Sequence, residues 1–189
     1  TLIILGGLIV AGGLGIPVYI DLVERNKRFS LHTRVTLITI LVLIIIGWLG
    51  LLIEERQSGG VLYKMGLADQ VVQTLFQSVS TRTAGFPGMR AFDEMGQSSR
   101  LLVMSLMFIG SGPASMGGGI TTGTFAILML SLISYARGAR KVEVNGRTIP
   151  TEIMIRAAGV LTISLLIVVI GTWLLLATHN FTLDKALFE

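Results

Sequence analysis

The stretch SVSTRTAGFPG occupies Ser78–Gly88. It is polar, rich in hydroxyls and carries Arg82, yet the chain around it is mostly apolar. It follows DQVVQTLFQ (Asp69–Gln77), a run too short to cross a bilayer, which takes about 20 residues of helix. Irregular polar backbone at membrane depth is tolerated only where protein surrounds it or it lines a water-filled cavity. How this stretch is read therefore decides the fold.

The surroundings are those of a polytopic membrane protein. Of 189 residues, 52% are hydrophobic and 14% charged, well below the roughly 25% charged of an ordinary globular chain. Mean hydropathy is +0.78. The absence of cysteine excludes disulfides and thiolate metal sites and leaves the redox compartment open. Glycine is abundant, at 23 residues, which suits close helix approach and bent backbone. The chain starts inside an apolar run and stops in what reads as a new short helix. It is expected to be a piece of a longer protein.

Four apolar regions follow one another. The first is Thr1–Leu22, the second Val35–Ile53 and the fourth Glu152–Thr178. The third, from Ser98 to Tyr135, would span about 57 Å as one helix, far more than a core of about 30 Å. Its centre, GSGPASMGGG, holds five glycines and a proline and cannot be continuous helix. Two half-helices around an irregular loop are expected.

Charge placement orients these regions. ERNKRFSLHTR carries Arg25, Lys27, Arg28 and Arg34 against one acid. RGARKVEVNGRTIPTEIMIR carries Arg137, Arg140, Lys141, Arg147 and Arg156 against two. The positive-inside rule makes loops 23–34 and 137–156 cytoplasmic, so Ser78–Gly88 is entered from outside. Asn145–Arg147 reads as a tight hairpin turn flanked by Val142, Val144 and Ile149, and Pro150 with Thr151 starts the last helix.

The pattern over 68–79 predicts a helix reaching about halfway through the core, with Asp69 favoured near its start. Its C-terminal carbonyls then point at the membrane centre and favour a dehydrated cation. Extended backbone beyond it can line carbonyl oxygens along a path, and Gly85 supplies conformational freedom there. The plainer alternative is a re-entrant hairpin that only packs.

SVSTRTAGF after a short helix resembles the third pore loop of the Trk/Ktr/HKT family of potassium transporters. FIGSGPASMGGGITTGTFA (Phe108–Ala126) resembles that family's interrupted third M2 helix, usually G-x-S-P-G-S-T-G-G-G-I-K-T. FSLHTRVTL before the second region resembles its cytoplasmic approach to a repeat. The matches cover most of the chain in order. The resemblance implies an all-α membrane protein of M1–pore helix–M2 repeats with a re-entrant filter loop and a broken M2. Residues 1–22 would be the M2 helix of the preceding repeat and 35–136 a complete repeat. Within that repeat M1 is 35–53, the pore helix 68–79, the filter 80–88 and broken M2 98–136. The M1 of the next repeat would be 152–178, and 182–189 would start its pore helix.

By the same resemblance, the backbone of Thr83, Ala84, Gly85 and Phe86 forms one quarter of a selectivity filter, with K+ at Thr83, Ala84 and Gly85. Ser80, Thr81 and Arg82 support it. Arg82 is expected to bond pore-helix carbonyls or a neighbouring repeat, the alternative being that it snorkels to the outer interface. Gly110, Ser111, Gly112, Pro113, Ser115, Gly117, Gly118, Gly119 and Thr121 form an intramembrane gate loop, flexible enough for two arrangements. The alternative is a static kink for helix packing. Where the family has lysine after GGGI, this chain has Thr121, so an interaction built on that charge has no counterpart at this position.

The implied function is potassium uptake across the cell membrane, with K+ or Na+ as the transported ion, no covalently bound cofactor and no enzymatic activity. The implied partners are membrane lipid, a second copy of the full-length protein and a cytoplasmic nucleotide-binding regulatory ring. No nucleic acid is expected. The alternative function is a secondary transporter of another fold, binding a cation or small solute at a re-entrant loop and a discontinuous helix. A phosphate-binding loop fails on context. Gly118 stands where GPASMGGG would need lysine, and no strand precedes it. His32 and His179 fall at opposite interfaces and make no catalytic or metal pair. Glu54, Glu55, Asp93 and Glu94 fall on the outer side, where they either draw cations to a pore mouth or form a solvated rim. Trp48 and Trp173 suit an aromatic belt.

Overall fold

The computed structural model describes residues 1–24, 29–56, 66–82, 95–113, 115, 117–138, 142–144, 147–179 and 181–188. They fall into two compact units, Thr1–Thr122 and Gly123–Glu189.

The first unit begins with α1 (Leu2–Gly13) and α2 (Ile16–Val23), bent by 93°. The stretch read as one helix over 1–22 is thus two. The cause is local: Gly15 takes φ +82° with ψ 153°, a combination open essentially to glycine alone, and Pro17 lies in the first turn of α2. The Tyr19 hydroxyl donates to the Ala11 carbonyl at 2.5 Å, which also accepts from the Leu14 amide at 3.2 Å.

α3 (Leu31–Glu55) is a membrane-length helix. Its start is capped by Ser30, whose hydroxyl accepts from the Thr33 amide at 3.2 Å. The Asp21 carboxylate, at the end of α2, accepts from the Ser30 amide at 3.1 Å and from the Ser30 and Thr33 hydroxyls. This clasp ties α2 to α3. Further along, Gly47 and Gly50 leave one face of α3 bare. A Cβ on Gly47 would meet Ser78 of α4 and Leu106 of α5, and one on Gly50 would meet Leu102. Small residues thus admit both neighbours closely.

α4 (Leu67–Ser80) packs against α1 and α3, and α5 (Gln97–Phe108) packs against α3. The predicted 68–79 helix is present with one extra residue at each end. Its end is enclosed, with every residue from Phe76 to Ser80 buried, and Thr74, Ser78 and Ser80 are fully buried although polar. The predicted division of the third region is also found. α5 ends at Phe108 and α6 (Thr122–Ala136) resumes after the glycine-rich break.

In the second unit, β1 (Glu143–Val144) pairs antiparallel with β2 (Arg147–Thr148), Val144 opposite Arg147. That register leaves two residues for the expected turn; Asn145 and Gly146 themselves lie outside the described residues. The Ile149 amide closes the ribbon on the Val142 carbonyl at 2.8 Å. Pro150 precedes the second membrane-length helix, α7 (Thr151–Thr178), against which α8 (Leu183–Phe188) packs. α7 is apolar all round, as expected of a span facing lipid or other helices. Trp173 on it is exposed, whereas Trp48 of α3 has its indole Nε1 enclosed rather than turned to an interface.

Candidate functional site: the end of α4 and the glycine-rich break

α4 ends in a tight turn at the place where the sequence puts the filter. The Thr81 amide donates to the Gln77 carbonyl at 3.0 Å, and the Thr81 hydroxyl to the Ser78 carbonyl at 3.0 Å. Lower on the helix, the Ser78 hydroxyl donates to the Ile44 carbonyl of α3 at 2.9 Å. Hydroxyls in this segment therefore dock the helix end instead of hydrating it. Ser80 is fully buried, and Thr81 and Arg82 nearly so. Thr83, Ala84, Gly85 and Phe86 lie outside the described residues, as do Asp93 and Glu94.

Arg82 is 7% exposed. Its Nη2 donates to the Gly110 carbonyl at 3.1 Å and its Nη1 to the Ile40 carbonyl of α3 at 3.4 Å. The expectation of bonds to pore-helix carbonyls or to another repeat is corrected here, and so is the snorkelling alternative. The side chain turns sideways, because α3 and the break offer carbonyls within reach. A fixed guanidinium fork suits two separate acceptors. A cavity of about 20 Å³ lies beside it, bordered by Gly13, Ile40, Val79 and Ser111. That is room for about one water.

The break is a folded loop with its own hydrogen bonds. Ile109 and Ile120 form a parallel bridge. The Ile120 amide donates to the Phe108 carbonyl at 3.0 Å, the Gly110 amide to the Ile120 carbonyl at 2.9 Å, and the Thr122 amide to the Ser111 carbonyl at 3.0 Å. The hydroxyls of Ser111 and Ser115 bond each other. Glycine is required at definite points. A Cβ on Gly110 would overlap the Gly118 carbonyl, and Gly119 holds φ +78° with the Phe108 carbonyl 2.6 Å from where its Cβ would lie. Gly118 has open space. Pro113, Gly117 and Thr121 lie on the same loop; Ala114 and Met116 fall outside the described residues.

The structure thus brings Arg82 to Gly110, and Ser111 to Ser115 and Thr122. Sequence reasoning missed the contribution of α1 and α2. The Gly112 amide donates to the Gly13 carbonyl at 2.8 Å, and Gly112 and Pro113 sit against Leu14 and Gly15. GGLGIP (Gly12–Pro17) is the signal that was available: three glycines and a proline within an apolar run mark a helix break. Among the described residues no group of three or more His, Asp or Glu gathers as metal ligands.

Comparison with known proteins shows the family. The family model TrkH, described as cation transport protein, matches residues 2–189. The chain belongs to this family. It is similar to the Ktr system potassium uptake protein B of Bacillus subtilis, with 35% identity covering 96% of this chain and 41% of that protein. It is similar to the potassium/sodium uptake protein NtpJ of Enterococcus hirae, with 33% identity covering 95% and 40%. The crystal structure of the potassium transporter TrkH from Vibrio parahaemolyticus shares the fold at a TM-score of 0.73 and 20% identity, covering 94% of this chain and 39% of that one. The chain therefore spans about two fifths of the length of its curated relatives. Membership sets aside a transporter of another fold, and these relatives are transporters by name, not enzymes.

Proposed function

We propose that this chain forms one repeat and its flanks in a potassium uptake protein of the cell membrane. In this reading 35–136 is a complete M1–pore helix–M2 repeat, 1–22 the preceding M2, 152–178 the next M1 and 182–189 the start of its pore helix. The backbone of Thr83, Ala84, Gly85 and Phe86 replaces water around K+, with Ser80, Thr81 and Arg82 holding the approach. The break from Gly110 to Thr121 is the gate. Loops 23–34 and 137–156 face the cytoplasm, and the filter loop is entered from outside. The full-length protein pairs with a second copy and meets a nucleotide-binding regulatory ring on the basic side. Two relatives named for potassium or potassium/sodium uptake support the choice of ion.

The observation that carries this reading is the Arg82–Gly110 bond. One buried cation joins the end of the pore helix to the first residue of the break, so filter approach and gate are fixed relative to each other. A segment that only packed would not need a charged group there, given what burying one costs. The test is Gly85→Ser in the full-length protein, with K+ and Na+ uptake measured in parallel. Potassium preference should fall; preference equal to wild type would remove the filter assignment. Deleting part of Gly112–Gly118 should raise flux, and an equal or lower rate would make the break a packing kink.

A further inference from the structure

The glycine-rich break does not rest on its own repeat alone. It is seated in the bend between α1 and α2. The Gly112 amide donates to the Gly13 carbonyl at 2.8 Å. Gly13 ends α1, so this carbonyl is one of those that the end of a helix leaves without an internal donor. The fit is reciprocal. A Cβ on Gly112 would overlap the Leu14 carbonyl and lie 2.8 Å from its carbon. A Cβ on Gly15 would overlap the Pro113 carbonyl and lie 3.2 Å from the Gly112 carbon. Gly13, Gly15 and Gly112 are all buried. Two chain breaks, one in the first apolar region and one in the third, thus meet backbone to backbone, and each needs glycine to do so.

We infer that the Gly13–Leu14–Gly15 bend is the latch that holds the glycine-rich loop in its closed arrangement. This rests on the gate reading of the loop. The loop is fixed at Gly110 by Arg82 and at Gly112–Pro113 by the bend. The first hold comes from its own repeat, and the second comes from a different segment. α2 in turn is clasped to α3 through Asp21, so the latch is borne on an anchored element. Gly13, Leu14 and Gly15 are positioning residues: they do not touch the ion but set where the loop lies. Opening requires the Gly112–Gly13 bond to break and Pro113 to leave Gly15.

The test uses the full-length protein in proteoliposomes. Gly112→Ala removes the fit without needing an unusual backbone conformation, because only Gly15 has positive φ at this contact. Gly7→Ala is the control, since its Cβ meets nothing. A reporter, Ser115→Cys, is labelled with a water-soluble maleimide, and Rb+ flux is measured beside it. Gly112→Ala should raise labelling and flux several-fold, with Gly7→Ala unchanged. A substitution that merely destabilised the fold would lower flux instead. In a second arm, Leu14→Cys with Pro113→Cys is joined by a short bifunctional maleimide, which should suppress flux. Unchanged labelling in a monodisperse Gly112→Ala protein, or failure of the cross-link to form, overturns the latch. Raised labelling with unchanged flux upholds the seat and overturns the gate reading on which its role rests.

Discussion

Arg82 donates from Nη2 to the Gly110 carbonyl at 3.1 Å, joining the turn after α4 to the glycine-rich break between α5 and α6. Its Nη1 holds the Ile40 carbonyl of α3, so one side chain links α3, the end of α4 and the break. A charged donor bond is worth about 1.5–3 kcal/mol. Arg82→Met should therefore cost about 2 kcal/mol or more in stability and abolish uptake by the full-length protein. Arg82→Lys should rescue neither, because a single ammonium cannot serve two acceptors on separate elements. Thermal unfolding of the detergent-solubilised protein and K+ uptake measure this. A lysine variant equal to wild type in both would show that charge alone matters.

The glycines of the break are unequal, and alanine should sort them. Gly110→Ala collides with the Gly118 carbonyl, which is backbone and cannot swing aside. Gly119→Ala forces a side chain onto φ +78°, at about 1–2 kcal/mol for the backbone alone. Gly118→Ala meets nothing and should stay within about 0.5 kcal/mol. Thermal stability of the three variants should follow that order. Equal tolerance at Gly110 and Gly118 would mean that the loop is not folded as described.

Much of this was legible in the sequence because membrane helices announce themselves by length and apolarity. α3, α4, α7 and the division of the third region all follow from run lengths and from GSGPASMGGG. The hairpin read at Asn145–Arg147 is present, although Arg147 belongs to its second strand, opposite Val144, and not to the turn. What was not legible is which backbone atoms meet. The partners of Arg82 are carbonyls of Ile40 and Gly110, and a carbonyl carries no residue-type signature. The bend at Gly15 went unread because GGLGIP sits in a run long enough to pass for one span, and apolarity outweighed glycine. The close fit of the break was not legible either. Glycine counts suggest freedom, whereas Gly110, Gly112 and Gly119 are there to allow close backbone contact.

The clasp at the start of α3 should be cooperative. Ser30 caps the helix and also donates to Asp21, which accepts from Thr33 as well. Ser30→Ala should cost about 1 kcal/mol as a lost cap. Asp21→Ala should cost at least as much, since it leaves the fully buried Thr33 hydroxyl without its acceptor. The double variant should cost less than the sum, because both remove the same bonds. Additive losses in thermal unfolding would mean that the two residues act separately.

Gly47 and Gly50 look equivalent in sequence, three residues apart on one helix face, but they should respond oppositely to alanine. Either change gains about 1 kcal/mol of helix propensity. At Gly50 the new methyl meets only the tip of Leu102, 2.5 Å away and free to change rotamer, so the net effect should be near zero or stabilising. At Gly47 it meets Ser78, whose hydroxyl is committed to Ile44, and the buried Leu106 at 2.6 Å. Overpacking of this kind costs about 1–3 kcal/mol, and losing the Ser78 bond adds about 1. Gly47→Ala should thus destabilise by about 1–3 kcal/mol after the propensity gain is subtracted. It should also lower uptake, because Ser78 seats the end of α4 that precedes Arg82. Adding Ser78→Ala should recover part of the stability of Gly47→Ala by removing the crowded hydroxyl, although Leu106 remains. Thermal unfolding of the two single variants and the Gly47→Ala/Ser78→Ala pair decides it. A Gly50→Ala loss as large as that of Gly47→Ala would mean that α4 does not bear on this face of α3.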